Sequence, residues 1–138
     1  MSPEADVFVQ IETERTSTLY ERVGGDPFFF ALVARFYAAV EADPVLRPLY
    51  PADLEGPKRR LALFLIQYWG GPHTYNAERG HPRLRMRHLR FPIGPVQRQV
   101  WLTHMRAAVE SSDVSASDAQ ALLEYFETAA TSLMNRPT

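Results

Sequence analysis

The chain contains no cysteine. Disulfides, thiolate metal sites and cysteine nucleophiles are therefore excluded. It also lacks an excess of either charge: 15 basic and 16 acidic residues leave a formal net charge of −1. A nucleic acid partner usually demands a basic surplus, so none is expected. No apolar run approaches the length that spans a bilayer. Met1 to Thr18 is polar and acidic, without a basic head or a long apolar stretch, and does not read as a secretory leader. A cytoplasmic protein without membrane association is expected. The HExxH pair of zinc hydrolases, the GxSxG elbow, the P-loop and the dinucleotide fingerprint are all missing. No repeat or low-complexity tract occurs.

What is present suits one domain. The chain has 138 residues, and 46% of them are apolar, enough for a real core and too many for disorder. Residues 1–17 lack a sustained pattern and read as a flexible extension, with a short ordered piece at Val7 to Ile11; residues 18–138 form the domain. Thr18 to Val23 predicts a short helix stopped by Gly24-Gly25. Asp26-Pro27 predicts a helix start, with Asp26 as the capping acceptor and proline in the first turn. Phe28, Leu32, Phe36 and Val40 then form one stripe, with Phe29, Val33 and Tyr37 beside it. A stripe that wide means deep burial. A helix opened by Pro57 runs to Trp69 and is stopped by Gly70-Gly71-Pro72. His73 to Gly80 reads as irregular. Pro82 predicts the first turn of a short helix to His88. Pro95 opens a longer helix that ends at Ser111 and Ser112. Ser115 or Ser117 caps a last one carrying Leu122, Phe126, Ala129 and Leu133. No segment alternates as a strand does, so the class is all-α.

One stretch carries chemistry. In His81-Pro82-Arg83-Leu84-Arg85-Met86-Arg87-His88, Leu84 and His88 lie four apart on one helical face, flanked by Arg85 and Arg87. A flat apolar ligand with an acidic edge needs that layout: a nitrogen for its metal, a leucine for its ring and cations for its carboxylates. Haem is such a ligand. A lone histidine on an apolar face is more often structural than a ligand, and a run of arginines is often just a solvated surface. His73 and His81 stand beside prolines in loop sequence and are expected to be exposed. His104 is expected at the edge of the core. Tyr37, Tyr50 and Trp101 each carry one polar hydrogen on a large apolar body. They are either core aromatics bonded to backbone or donors converging over a metal-bound ligand. In the second case Leu61, Phe64 and Met105 supply apolar wall.

These residues belong to a longer set of motifs. They include Tyr20-Glu21-Arg22-Val23-Gly24-Gly25, Arg35-Phe36-Tyr37, and Asp43-Pro44-Val45-Leu46-Arg47-Pro48-Leu49-Tyr50-Pro51. Phe64-Leu65-Ile66-Gln67-Tyr68-Trp69-Gly70-Gly71-Pro72 follows, then Arg79-Gly80 leading into the histidine run, and Trp101-Leu102. From Leu19 to Arg136 the chain resembles the truncated haemoglobins, in particular their second group. The resemblance implies a globin-like, truncated two-over-two helical sandwich holding haem b. It implies His88 as the proximal iron ligand of a pentacoordinate haem. It implies Tyr37, Tyr50 and Trp101 as distal hydrogen-bonding residues, and Leu61 as the apolar residue over the iron. Arg60 matches a position that often reaches a haem propionate, with Tyr75 and Arg85 as weaker propionate candidates. Leu84, Phe64, Phe91 and Met105 complete the expected cofactor contacts. The chain departs from many globins at Pro57, which has no side-chain donor where a distal histidine or glutamine is frequent. Distal hydrogen bonds then fall to Tyr37, Tyr50 and Trp101.

The function this implies is tight binding of O2, with NO and CO as further diatomic ligands. A haem-dependent peroxidase or NO dioxygenase is the enzymatic alternative and would use the same pocket. A haem-free helical interaction domain is the third reading, and it would show no Soret band. A reductase and a second copy of the chain are the further candidate partners.

Overall fold

The computed structural model describes residues 17–138, so the expected extension lies outside the described residues except for Ser17. Among the described residues there are seven α-helices, a short 3-10 turn and no strand, as the residue pattern predicts. In chain order they are α1 (Leu19–Arg22), α2 (Asp26–Ala42), the 3-10 turn (Arg47–Leu49), α3 (Glu55–Tyr68), α4 (Thr74–Arg79), α5 (Leu84–His88), α6 (Pro95–Glu110) and α7 (Ala116–Ser132). Helix α2 packs on α3 and on α6, and α6 packs on α7. The result is one helix pair laid over another.

Burial follows the apolar stripes. Helix α2 buries Phe29, Leu32, Val33, Phe36, Tyr37 and Val40, and Phe28 is half-buried. Helix α3 contributes Ala62, Leu65 and Ile66, α6 contributes Leu102, Met105 and Val109, and α7 contributes Leu122 and Phe126. No described helix is long and apolar enough to cross a membrane.

Several local expectations change. Asp26 does not cap α2: Gly25 holds the N-cap position. The Asp26 carboxylate instead accepts a hydrogen bond from the Tyr20 hydroxyl at 2.7 Å, tying α1 to the start of α2. Helix α3 begins at Glu55, with Pro57 buried inside the first turn, where a missing N–H costs nothing. The stretch read as irregular forms α4, because the Gln67 side chain accepts from the Asn76 amide and donates to its side chain, tying the segment to α3. Pro82 does not open α5. Arg83 occupies the N-cap in the left-handed region, at φ 45°, and the helix starts at Leu84. In α7, Ser115 is the cap, and Ala130 is buried in place of the expected Ala129 and Leu133.

The glycine pair after α3 serves a close approach. Gly70 has φ +109°, and a Cβ there would lie 2.5 Å from the Thr18 side chain. A Cβ on Gly71 would meet Ile66 and Tyr20 at 2.7 Å. The Trp69 carbonyl accepts from the Tyr20 amide in the same place, closing α1 onto the end of α3.

The two layers are also joined by a polar contact. Asp43, at the C-terminal end of α2, lies 2.6 Å from Nε2 of His104 on α6. The bond from His104 holds the Asp43 carboxyl below the usual carboxylate range, helped by the amides of Val45 and Leu46. The folded state therefore binds fewer protons at Asp43 than the unfolded state, and stability rises with pH through that range. The contribution is present above the usual carboxylate range and is lost as pH falls through the depressed folded value. Asp43→Asn should be less stable than the parent near neutrality, and the gap should narrow in acid. Denaturant unfolding across a pH series checks this; a gap independent of pH would place the effect elsewhere.

Candidate functional site

Helix α5 has only five residues, and its geometry is imposed from outside. The Arg87 guanidinium donates to the carbonyls of Pro82, at 2.7 Å, and Arg79, at 3.1 Å. Those bonds hold the left-handed turn at Arg83 that sends the chain into α5. His88 is half-buried, and its Nδ1 lies 2.6 Å from the Leu84 carbonyl oxygen. In the tautomer this contact requires, Nδ1 carries the proton and Nε2 offers a lone pair. The Phe91 ring stands beside the imidazole, with centroids 6.4 Å apart, and Leu84 is half-buried on the same helix.

A second set of residues comes from α2, α6 and the stretch after the 3-10 turn. Tyr37 is 4% exposed, and its ring meets Tyr50 edge-on at 5.4 Å. Phe36 bridges Tyr37, at 5.2 Å, and Trp101, at 5.3 Å. Burial pushes the Tyr37 hydroxyl above its ordinary range; the neighbouring Tyr50 adds to this and the Arg60 guanidinium opposes it. Burial also raises Tyr50, against side-chain hydrogen bonds from Trp101 and Tyr37. Tyr37, Tyr50 and Trp101 are thus gathered around Phe36, so that their polar hydrogens lie in one neighbourhood.

The expected wall and edge residues separate into groups. Met105 is fully buried, and Leu61 and Phe64 are half-buried against the core. The Phe64 ring lies 5.8 Å from that of Tyr75. Arg60 and Tyr75 line one cavity of about 270 Å³ with Gly56, Leu63 and Arg79. Gly56 leaves room for Arg60: a Cβ there would sit 2.9 Å from its guanidinium. Arg85 stands apart, exposed and without a hydrogen-bond or ion-pair partner among the described residues. His73 and His81 are exposed, and His104 is taken up by Asp43, as expected of each.

Among the described residues no three His, Asp or Glu side chains gather to hold a bare ion. The available donor is a single imidazole with Nε2 free, beside apolar and aromatic side chains. That set fits a metal whose other ligands come from a flat macrocycle.

Residues 18–135 match the family model for bacterial-like globins. A group 2 truncated haemoglobin of Bacillus subtilis (strain 168) is 37% identical over 117 residues, covering 85% of this chain and 88% of its own. The chain belongs to the bacterial-like globins, as a group II truncated haemoglobin. A thermostable haemoglobin from Thermobifida fusca has a similar structure, with TM-score 0.86, 54% identity, and coverage of 88% of this chain and 100% of that one. A truncated oxygen-avid haemoglobin from Bacillus subtilis gives TM-score 0.82 at 36% identity, covering 86% of this chain and 100% of that one. Membership of this family implies a haem cofactor, and with it the binding of diatomic gases.

One residue near the site had no part in the sequence expectations. Asn135 follows α7 and bonds to the segment just after His88. It lies two residues past the Leu133 cap of α7, and no local pattern in the chain marks it.

The raised hydroxyls have a consequence for alkaline stability. Tyr37 and Tyr50 are kept neutral in the fold, so their contribution is full below the ordinary tyrosine value of 10.0 and is lost as pH rises past it. Unfolding free energy should fall as pH passes that value. Tyr37→Phe and Tyr50→Phe should each make the fall shallower. Denaturant curves over an alkaline series measure it, and slopes unchanged in both variants would refute it.

Proposed function

We propose that this chain holds haem b through Nε2 of His88 and uses Tyr37, Tyr50 and Trp101 to retain O2. When bound, the haem iron supplies the site at which O2, NO or CO attaches. The residues of the chain do the rest. The Leu84 carbonyl fixes the imidazole in the tautomer that turns Nε2 outward. In the second group, the observation that carries the reading is the gathering of three donor-bearing aromatics, with Tyr37 edge-on to Tyr50 at 5.4 Å and Phe36 between Tyr37 and Trp101. Tyr37, Tyr50 and Trp101 would offer donors to a diatomic ligand whose outer atom carried partial negative charge, and a dry site would strengthen such a bond. Half-buried Leu61 and Phe64 keep the surroundings apolar. Arg60, with Tyr75 beside it, supplies a cation and a hydroxyl suited to an acidic ligand edge. The oxygen-avid character named for the similar Bacillus subtilis haemoglobin supports the same assignment.

His88→Ala should lose most of its haem or show an altered axial spectrum, while His73→Ala and His81→Ala leave the Soret band alone. Normal haem retention with an unchanged spectrum in His88→Ala would remove the assignment.

Hydrogen bonds to charged groups contribute roughly 1.5–3 kcal/mol and neutral ones about half as much. About 1.4 kcal/mol is a factor of ten in rate. Trp101→Phe and Tyr50→Phe should therefore release O2 roughly ten-fold faster or more, with a smaller change for CO, whose outer atom carries less charge. Stopped-flow dissociation of both gases checks this. Equal acceleration of O2 and CO would make the effect steric, and no change in either would mean the donors do not reach the ligand.

A further inference from the structure

We infer that Asn135 is a positioning residue for His88, strapping the proximal segment from outside the helix that carries it. This rests on the proposal that His88 ligates the iron. The side-chain amide of Asn135 donates to the His88 carbonyl at 3.1 Å and to the Phe91 carbonyl at 2.8 Å. Its side-chain oxygen accepts from the Ile93 amide at 2.9 Å. Its own backbone N–H donates to the Ile93 carbonyl at 2.9 Å, and the Arg136 amide joins the same carbonyl at 3.2 Å. One side chain thus satisfies both polar ends of the turn from His88 to Ile93. That turn contains a single backbone bond of its own around Phe91, from its amide to the His88 carbonyl at 3.0 Å.

The need for such a strap is physical. A helix of five residues is far below the length that is stable alone, roughly 12–15 residues. The Leu84 bond fixes which nitrogen of His88 is free, but it lies within the same short helix, so it cannot fix where the helix points. Arg87 holds the N-terminal side of α5 through Pro82 and Arg79. Asn135 holds the C-terminal side. The chain after it continues along the same surface: a Cβ on Gly94 would lie 3.0 Å from the backbone of Thr138. Residues 135–138 therefore lie across Ile93 and Gly94, where an added Cβ would crowd Thr138 by a few tenths of an ångström.

The decisive substitution is Asn135→Asp. It keeps an acceptor for the Ile93 amide and removes both donors to the His88 and Phe91 carbonyls. Asn135→Ala removes all three side-chain bonds, and Gly94→Ala pushes on the strap from the opposite side. With the haem-loaded protein, Asn135→Asp and Asn135→Ala should lose haem about five- to ten-fold faster, the change expected from losing the net contribution of one or two neutral hydrogen bonds. Resonance Raman spectra of the ferrous protein should show a shifted or broadened iron–histidine stretch, and amide exchange should quicken at Phe91 and Ile93. Gly94→Ala should move the same three readouts in the same direction. A lower melting temperature with an unmoved iron–histidine stretch and unchanged haem loss would make Asn135 a structural tie only and overturn the inference. His88→Ala serves as the control: if it retains haem with an unchanged spectrum, the ligand assignment fails, and the exchange result alone reports on the strap.

Discussion

Helix α2 packs against α3 on one side and α6 on the other, and both packings depend on the same buried row of Phe29, Leu32, Phe36 and Val40. Its burial stabilises the two layers together, because each such apolar side chain removed from water contributes roughly 1.5–3 kcal/mol. Tyr37 is buried beside this row on the same helix. Its hydroxyl is therefore placed by core packing, and its ring by Phe36 and Tyr50. A change that loosened α2 would be felt at once in the core and in the placement of the Tyr37 hydroxyl.

The donor arrangement gathers three ordinary core aromatics into one group. Alone, a buried tyrosine hydroxyl must find a partner, and any backbone carbonyl would serve. Here the packing of Phe36, Tyr37, Tyr50 and Trp101 brings three such polar hydrogens into one neighbourhood. A hydrogen bond made from such a group is strengthened where apolar side chains exclude competing water.

The proximal side is built on the opposite principle. Helix α5 has no apolar row of its own to bury, and Met86 and Leu89 are exposed. Its placement comes from long-range polar ties to backbone carbonyls, made by Arg87 from one side and Asn135 from the other. His88 thus sits on a short, strapped element, while Tyr37 is held by the packed core.

Much of this was legible in the chain. The wide stripe from Phe28 to Val40 specified a buried helix. The helix breaks at Gly24-Gly25 and Gly70-Gly71 were visible as well, because glycine admits conformations and approaches that other residues do not. The four-residue step from Leu84 to His88 put both residues on one helical face, since that step is about one helical turn, whereas the contact of the imidazole with the Leu84 carbonyl was not foreseen. Local periodicity determines such features. What lay beyond it was decided by contacts between distant residues. Asp26 left its expected capping role because Tyr20 offered a better-placed donor. The segment after His73 became helical because Gln67 reaches it from α3. Arg87, which local spacing placed beside the ligand face, turned back to the carbonyls of Pro82 and Arg79. The gathering of Tyr37, Tyr50 and Trp101, and the reach of Asn135 to a residue 47 positions away, depend on where separate elements cross. A hydrogen-bond partner is chosen by distance in space, and only the packed fold sets that distance.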